Sequence, residues 1–214
     1  MHARSDDIQS ALRVLEDAWL PARKVGALGD VSVKELYEHA KGFVLSVWRD
    51  AEDLNLVDMG SGVGVPGILL ALQLPQTRWT LVDSSLKRCD IAEIAVQRLR
   101  LEKRVAVEHA RLDDFAQANQ GGFDGGVARL FGTVSELAEC GLLLLKVGAS
   151  LVTSVSDDTR AEWGRSNLKS LTGCELRTSW EVDTGQFAAV ERVSVMPNQL
   201  PRSASVRKRT PLLG

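Results

Sequence analysis

The chain has 214 residues, enough for one substantial hydrophobic core, with 44% hydrophobic and 25% charged residues. The formal net charge of −2 shows no overall signature of a nucleic-acid binder, and no apolar run is long enough to span a bilayer. The three cysteines lack metal-ligand spacing, so we expect reduced packing residues in a cytoplasmic, single-domain protein that holds no metal.

Two amphipathic helices are predicted at the N-terminus. Apolar residues recur at helical spacing over residues 5–20 and 32–49. Ser32 stands three residues before Glu35, which is typical of a capping box at a helix start. We expect these helices to form an extension over residues 1–50 that precedes the main fold. His39 lies on the second helix, and we interpret it as a half-buried packing residue.

Short apolar runs then alternate with longer amphipathic ones over residues 51–200. Strands are predicted at residues 54–58, 78–83, 104–109, 123–128, 149–155, 174–182 and 188–196. Helices are predicted between them at residues 66–73, 85–101, 133–146 and 157–170. This alternation predicts an α/β fold with a seven-stranded, mostly parallel sheet and helices on both faces. The order of two helices followed by seven strands resembles the class I methyltransferase (Rossmann-like) plan. The last two strands follow each other directly, which indicates a terminal antiparallel hairpin.

The first predicted strand ends at Asp58 and leads into a glycine loop. Gly62, Gly64 and Gly67 match a dinucleotide fingerprint, and Asp83 is placed to bind a ribose. A dinucleotide would put its pyrophosphate at the helix N-terminus, where Asp58 would add a second negative charge. S-adenosylmethionine has no phosphate and carries a sulfonium and an ammonium group. A carboxylate beside the loop therefore suits S-adenosylmethionine better.

Acids end three successive predicted strands, at Asp58, Asp83 and Asp113. Asp83 would accept hydrogen bonds from the ribose diol, and Asp113 would accept one from the adenine amine. The glycines let the backbone approach the ligand without a Cβ. We therefore predict S-adenosylmethionine as the cofactor, with a nicotinamide cofactor and a ligand-free sheet as the alternatives.

The segment FDGGVARLFG, around the fourth predicted strand, bears on the methyl acceptor. It lacks the proline motif that usually handles exocyclic amines. Cys89 and Cys140 lie in predicted helices and are poorly placed as the nucleophile that methylation of pyrimidine C5 needs. A ring nitrogen such as guanine N7 has a free lone pair and needs only proximity and alignment. Arg129 is the candidate catalytic residue, because its cation would orient the base through O6.

Several segments resemble the glucose-inhibited division protein B family of bacterial 16S rRNA guanine-N7 methyltransferases. They are VDMGSGVGVPGILLAL, LVDSSLKRCDIAEIAVQRL, VEHARLDDF, FDGGVARLFGTVSEL and the basic LPRSASVRKRTPLL. The Val65-Pro66-Gly67 end of the loop is the most specific part of the match. The predicted cofactor site then comprises Asp58, Gly60, Ser61, Gly62, Gly64, Gly67, Asp83, Ser84, Arg88, Leu112, Asp113 and Arg129.

The resemblance implies a protein that acts on 16S rRNA or on the small ribosomal subunit, without a membrane partner, and we expect it to be a monomer. It implies RNA contacts from the exposed cations Lys87, Arg202, Arg207, Lys208 and Arg209. Four of these lie in the basic tail, residues 201–214, and the rest of the chain has 22 basic and 28 acidic side chains. The alternative is a tail that folds back over the sheet edge.

The sequence departs from this family on the substrate side. ARKVGALGDVSV lacks the usual asparagine-leucine-threonine segment, and LVTSVSDD lacks a lysine. A methyltransferase with a different RNA or small-molecule acceptor therefore stays an alternative, as does a non-catalytic S-adenosylmethionine-binding relative.

Overall fold

The computed structural model describes residues 5–44, 47–48 and 52–213, and within them seven strands form one sheet in the order β3-β2-β1-β4-β5-β7-β6. The strands are β1 (Asn55–Met59), β2 (Arg78–Asp83), β3 (Val105–His109), β4 (Phe123–Ala128), β5 (Leu145–Val155), β6 (Cys174–Val182) and β7 (Gly185–Arg192). Neighbouring strands from β3 to β5 pair in parallel, whereas β7 is antiparallel to β5 and β6. The predicted mostly parallel sheet and its terminal hairpin are confirmed.

Two helices precede the first strand, one follows the last, and the others lie between strands; the short helices differ from the prediction. They are α1 (Ser5–Lys24), α2 (Val33–Val44), α3 (Gly67–Gln73), α4 (Leu86–Arg98), α5 (Leu112–Ala118), α6 (Val134–Glu136), α7 (Asp157–Trp163), α8 (Leu168–Thr172) and α9 (Ala204–Arg209). The sequence does not predict α5 and α9, because helices of seven and six residues are too short to show an apolar period. The predicted end of α2 at residue 49 falls outside the described residues.

Two predicted helices are irregular. The one predicted over 133–146 forms α6, a π-helical turn at Leu137–Gly141 and a 3-10 turn at Leu142–Leu144, and β5 begins directly after it. The one predicted over 157–170 is interrupted after Trp163, where Gly164 caps α7. Both interruptions occur at or next to a glycine, which costs helix stability relative to other residues.

Successive strand residues pack into two different cores. Leu56 and Leu81 join the core that α1 to α4 cover, and the adjacent Val57 and Val82 join the core that α5 to α8 cover. Because side chains alternate between the two faces of a strand, helices cover both faces of the sheet, as predicted. Each large apolar side chain buried in this way contributes about 1.5–3 kcal/mol of transfer free energy.

The N-terminal helices share the core of the sheet. The capping box of α2 is confirmed, since the Ser32 N–H donates to Glu35 Oε2 at 2.9 Å and the Glu35 N–H donates to Ser32 Oγ at 3.2 Å. Trp19 of α1 is fully buried, and its indole N–H donates to the Val63 carbonyl in the glycine loop at 2.9 Å. Helix α1 therefore stabilises the glycine loop, on which the predicted cofactor site depends.

The basic tail folds back on the domain, over α5 and the π-helical turn. Arg202 pairs with the fully buried Glu139, and the Leu213 N–H donates to Ser135 Oγ at 3.0 Å. Leu200 and Leu213 are buried in the core of that face. The alternative of a folded-back tail therefore describes the structure, although the tail covers a helical face and not a sheet edge.

Candidate active site

The predicted site residues gather at the carboxyl end of the central strands. β1 lies between β2 and β4, with Asp58 paired in register with Leu81 on one side and Val127 on the other. The chain moves to one side of β1 and later returns to the other, so a crevice opens above the strand ends. Open parallel sheets bind their ligands at this switch point.

Asp58 lies beneath the glycine loop with no exposed surface. Its Oδ2 accepts the Gly67 N–H at 2.7 Å, and Oδ1 is buried without a hydrogen-bond partner among the described residues. Burial raises the pKa of Asp58 to about 7, against the opposing effects of the Gly67 N–H and the Arg129 charge. A cation that approaches this carboxyl would favour its ionised form.

The loop glycines serve two different purposes. Gly60, Gly62 and Gly64 all have positive φ angles, at 70°, 57° and 99°, which other residues adopt only with strain. A Cβ on Gly62 would meet nothing within 4 Å, so this residue borders open space. A Cβ on Gly64 would collide with the Ile68 side chain, and one on Gly60 with the Phe131 ring. Gly64 is therefore required by packing, and Gly62 is the position open to a ligand.

Asp83 forms the second wall of the crevice and is 4% exposed. Its Oδ2 accepts the Gly62 N–H at 2.9 Å, and its Oδ1 accepts from the Ser85 N–H at 2.9 Å and from Arg88 Nε at 3.0 Å. Because a carboxylate oxygen has two lone pairs, Oδ2 keeps one acceptor position. Gly60, Asp83, Ser84 and Leu112 line a cleft of about 110 Å³ together with Phe131.

The carboxylate of Asp113 is occupied by hydrogen bonds to other protein groups, which counts against its predicted contact with adenine. Oδ1 accepts from Arg111 Nε at 3.2 Å and from the Asp114 N–H at 3.2 Å. Oδ2 accepts from Arg111 Nη2 at 3.3 Å and from Arg207 Nη2 at 2.8 Å. Although burial opposes ionisation, the two guanidiniums lower the pKa of Asp113. Four hydrogen bonds use the lone pairs of both oxygens, so the carboxylate ties the tail to α5.

A larger pocket of about 520 Å³ adjoins the cleft, and Phe131 lines both. Arg129 lies in its wall, just after β4. Within the described part of the chain its guanidinium makes no hydrogen bond, and burial lowers its pKa while Asp58 opposes that change. The predicted catalytic cation is thus available to a ligand and lies within electrostatic reach of Asp58.

Three further pocket residues were not predicted as site residues: His39, Ser154 and Gln186. His39 packs edge-on against Phe43, with ring centroids 5.7 Å apart, so its interpretation as a packing residue describes part of its environment. Gln186 reaches the pocket because β7 pairs with β5, where it lies opposite Val155. No local pattern marks a glutamine that a long-range strand pair brings to a site.

The cations predicted to bind RNA fall into two groups. Lys87, Lys208 and Arg209 are exposed. Arg202 and Arg207 instead form ion pairs within the protein, and the side chain of Arg207 is only 8% exposed. In this arrangement the second group stabilises the folded tail, which corrects the expectation that all five face RNA.

The cysteines are free and buried, so they are packing residues, as predicted. Burial raises their pKa values, to about 11 for Cys89 and Cys174 and about 12 for Cys140. The thiols therefore stay protonated near neutral pH and are poor nucleophiles.

The described residues contain no group of three or more His, Cys, Asp or Glu side chains that could hold a metal ion. Among the described helices, none combines the length and the apolar composition that a membrane-spanning segment needs.

Solved structures share this fold at low sequence identity. Cofactor-bound Rv0187 from MTB superimposes with a TM-score of 0.58 and 20% identity, covering 90% of this chain and 92% of that chain. A SAM-dependent O-methyltransferase from Thermotoga maritima gives a TM-score of 0.58 and 16% identity, covering 78% of this chain and 68% of that chain. The sheet is that of the class I methyltransferases, as predicted.

Sequence comparisons are more specific. The sequence model of the family rRNA small subunit methyltransferase G matches residues 24–175. Ribosomal RNA small subunit methyltransferase G of Levilactobacillus brevis is 32% identical over 194 residues, covering 86% of this chain and 79% of that protein. The protein of the same name from Streptococcus pyogenes is 29% identical over 191 residues, covering 86% and 80%. The resemblance seen in the glycine loop and its neighbours is confirmed, and the chain belongs to the rRNA small subunit methyltransferase G family.

Proposed function

We propose that this protein transfers the methyl group of S-adenosylmethionine to N7 of a guanine in 16S ribosomal RNA. It is a methyltransferase by family, and its named relatives act on the RNA of the small ribosomal subunit. The observation that supports the proposal is that Arg129, just after β4, lies within electrostatic reach of Asp58 on the neighbouring β1, next to a loop in which Gly62 borders open space. Because the proposed substrate is ribosomal, the proposed activity is cytoplasmic, and we propose that the protein acts as a monomer.

The residues of the crevice fit S-adenosylmethionine. Asp58 Oδ1 and Ser61 Oγ are buried and lack a hydrogen-bond partner among the described residues, and Gly62 borders open space. Asp58 would stabilise the cationic methionine part, and Asp83 would accept from the ribose diol. When bound, this cofactor supplies an electrophilic methyl group on its sulfonium. A pyrophosphate of a nicotinamide cofactor would instead meet the carboxylate at the helix start.

Replacement of Asp83 should weaken cofactor binding. We expect Asp83→Ala to cost about 1–3 kcal/mol of binding free energy, because charge-assisted hydrogen bonds to the ribose are lost. Isothermal titration calorimetry with S-adenosylmethionine and with its demethylated product measures this loss. Asp90→Ala, at an exposed acid of α4, is the matched control and should bind as the wild type does. An unchanged affinity in Asp83→Ala would remove Asp83 from the site.

The larger pocket suits an acceptor that needs no proton removal. Burial lowers the pKa of His39, although the Thr184 carbonyl opposes the shift, so the imidazole is neutral at physiological pH. The cysteine thiols are protonated, as described above. Guanine N7 is already a nucleophile, so orientation and proximity can supply most of the rate enhancement. Arg129 would donate to O6, the acceptor beside N7.

Contacts with RNA would come from the exposed cations Lys87, Lys208 and Arg209. These side chains lie on α4 and α9, at a surface where no ion pair holds them among the described residues. Contacts with phosphate position an RNA without reading its sequence. The selection of the acceptor base is therefore assigned to the pocket.

A transfer assay with an Arg129 variant tests the proposed function. Purified small ribosomal subunits and naked 16S rRNA are incubated with labelled S-adenosylmethionine, and the product nucleoside is identified by mass spectrometry. We expect N7-methylguanine from the wild type and at least a tenfold lower rate from Arg129→Ala, equivalent to about 1.4 kcal/mol of transition-state stabilisation. Cofactor affinity should hardly change.

Arg98→Ala, at an exposed cation of α4, is the control and should keep the wild-type rate. Cofactor binding without transfer to any of these RNAs would favour a non-catalytic relative. Transfer to another atom or to a small molecule would overturn the assignment of N7.

A further inference from the structure

The larger pocket contains three polar atoms that have no partner among the described residues. They are His39 Nε2, Ser154 Oγ and Gln186 Oε1, and all three are buried. A buried polar atom without a hydrogen bond destabilises the folded protein. Three such atoms in the wall of one pocket indicate a site that is completed by the hydrogen bonds of a ligand.

The tautomer of His39 makes its unpartnered nitrogen an acceptor. His39 Nδ1 lies 2.8 Å from the Thr184 carbonyl oxygen, which can only accept, so Nδ1 carries the proton. In a neutral imidazole the other nitrogen then offers a lone pair. The ring is held in place, because its centroid lies 5.2 Å from that of Phe187.

Gln186 supplies a second acceptor, its amide oxygen Oε1. It follows Gly185, and a Cβ on that glycine would lie 3.3 Å from His39 Cε1, so the two acceptor side chains border the same short segment. The hydroxyl of Ser154 can donate or accept. The three unpartnered atoms are therefore mainly hydrogen-bond acceptors, which favours a ligand that presents N–H donors.

We infer that His39 and Gln186 are specificity-determining residues that accept hydrogen bonds from N1–H and the 2-amino group of the guanine. This inference rests on the proposed function and names the groups that select its base. Guanine is the RNA base with two adjacent donor groups on one edge, while adenine has an acceptor at N1. When N7 faces the methyl donor, O6 lies beside it, within the reach of a cation such as Arg129. The N1–H and 2-amino donors then face the opposite wall.

Inosine in place of the target guanosine tests this inference, because inosine keeps N7, O6 and N1–H and lacks only the 2-amino group. The target position is first mapped with the wild type. 16S rRNA is then assembled by splinted ligation with guanosine or inosine at that position. The variants are Gln186→Leu, which removes the amide, and His39→Phe, which keeps an aromatic ring against Phe187. Gln97→Leu, at an exposed site on α4, is the matched control.

We expect the wild type and the control to methylate inosine about tenfold more slowly, in kcat/KM, than guanosine, as the loss of one such hydrogen bond implies. One of the two variants should lose this discrimination, with guanosine falling to the inosine rate. Gln186→Glu, which keeps an acceptor oxygen, should restore part of it if Gln186 is the partner of the amine.

The outcomes separate this inference from the proposed function. Wild-type transfer to guanine N7 with unchanged discrimination in both variants would overturn the inference alone. Equal losses on guanosine and inosine in both variants would show a purely structural role and would overturn it too. No wild-type transfer to guanine would overturn the proposed function and this inference together.

Discussion

Replacing Arg202 by alanine should lower the free energy of unfolding by about 3 kcal/mol, the loss typical of breaking a buried ion pair on one side. Glu139 has no exposed surface, and Arg202 satisfies its carboxylate with a backbone N–H at 3.1 Å and Nε at 3.0 Å, and with Nη2. The truncated residue would leave Glu139 with little compensation in the interior. Urea denaturation followed by circular dichroism, with linear extrapolation to water, measures the change.

Two control variants identify the cause. Arg209→Ala, at an exposed cation of the same helical tail, should change the unfolding free energy by less than about 0.5 kcal/mol. In the double variant Arg202→Ala with Glu139→Gln, the uncompensated charge is removed and part of the stability should return. A wild-type stability in Arg202→Ala would show that the ion pair with Glu139 does not stabilise the domain.

Replacing Gly62 by valine should abolish measurable cofactor binding, with an affinity loss on the order of a hundredfold or more, about 2.7 kcal/mol. A Cβ added at Gly62 would point into open space at the loop, so the valine side chain would occupy the volume of the ligand. The backbone φ of 57° would also add roughly 1–2 kcal/mol of strain. Calorimetric titration with S-adenosylmethionine measures the affinity, and far-UV circular dichroism shows whether the fold is retained.

Gly64→Val is the matched comparison, since a Cβ there would collide with the buried Ile68. We expect this variant to lose stability first and to lose binding as a consequence. A Gly62→Val protein that binds the cofactor normally would exclude the space above Gly62 from the site. If Gly62→Val fails to fold, glycine is required at this position for the conformation of the loop and not for the space that a ligand needs.

Much of the fold can be predicted from the sequence because the signals are local. The start of α2 depends on Ser32 and Glu35, which stand three residues apart, and the terminal hairpin depends on two strands with no helix between them. Asp58 and Gly67 belong to one contiguous motif, and Asp83 follows on the neighbouring strand. Contacts within such short units depend little on the rest of the chain.

The remaining parts of the site depend on contacts between distant segments. Gln186 reaches the pocket only through the pairing of β7 with β5, and Phe131 reaches Gly60 through the loop after β4. The ion pairs of the tail depend on distant segments in the same way. Composition shows that Arg202 and Arg207 are basic, but it cannot show that they form ion pairs with Glu139 and Asp113 in the folded domain.

The ion pair between Arg202 and Glu139 also has a consequence for the order of events during translation. Because the chain is made from its N-terminus, Glu139 leaves the ribosome well before Arg202, which follows it by 63 residues. Until then the π-helical turn holds a carboxylate whose counter-ion has not been synthesised. That face of the domain therefore cannot reach its final packing on the nascent chain until the segment beyond residue 200 has emerged.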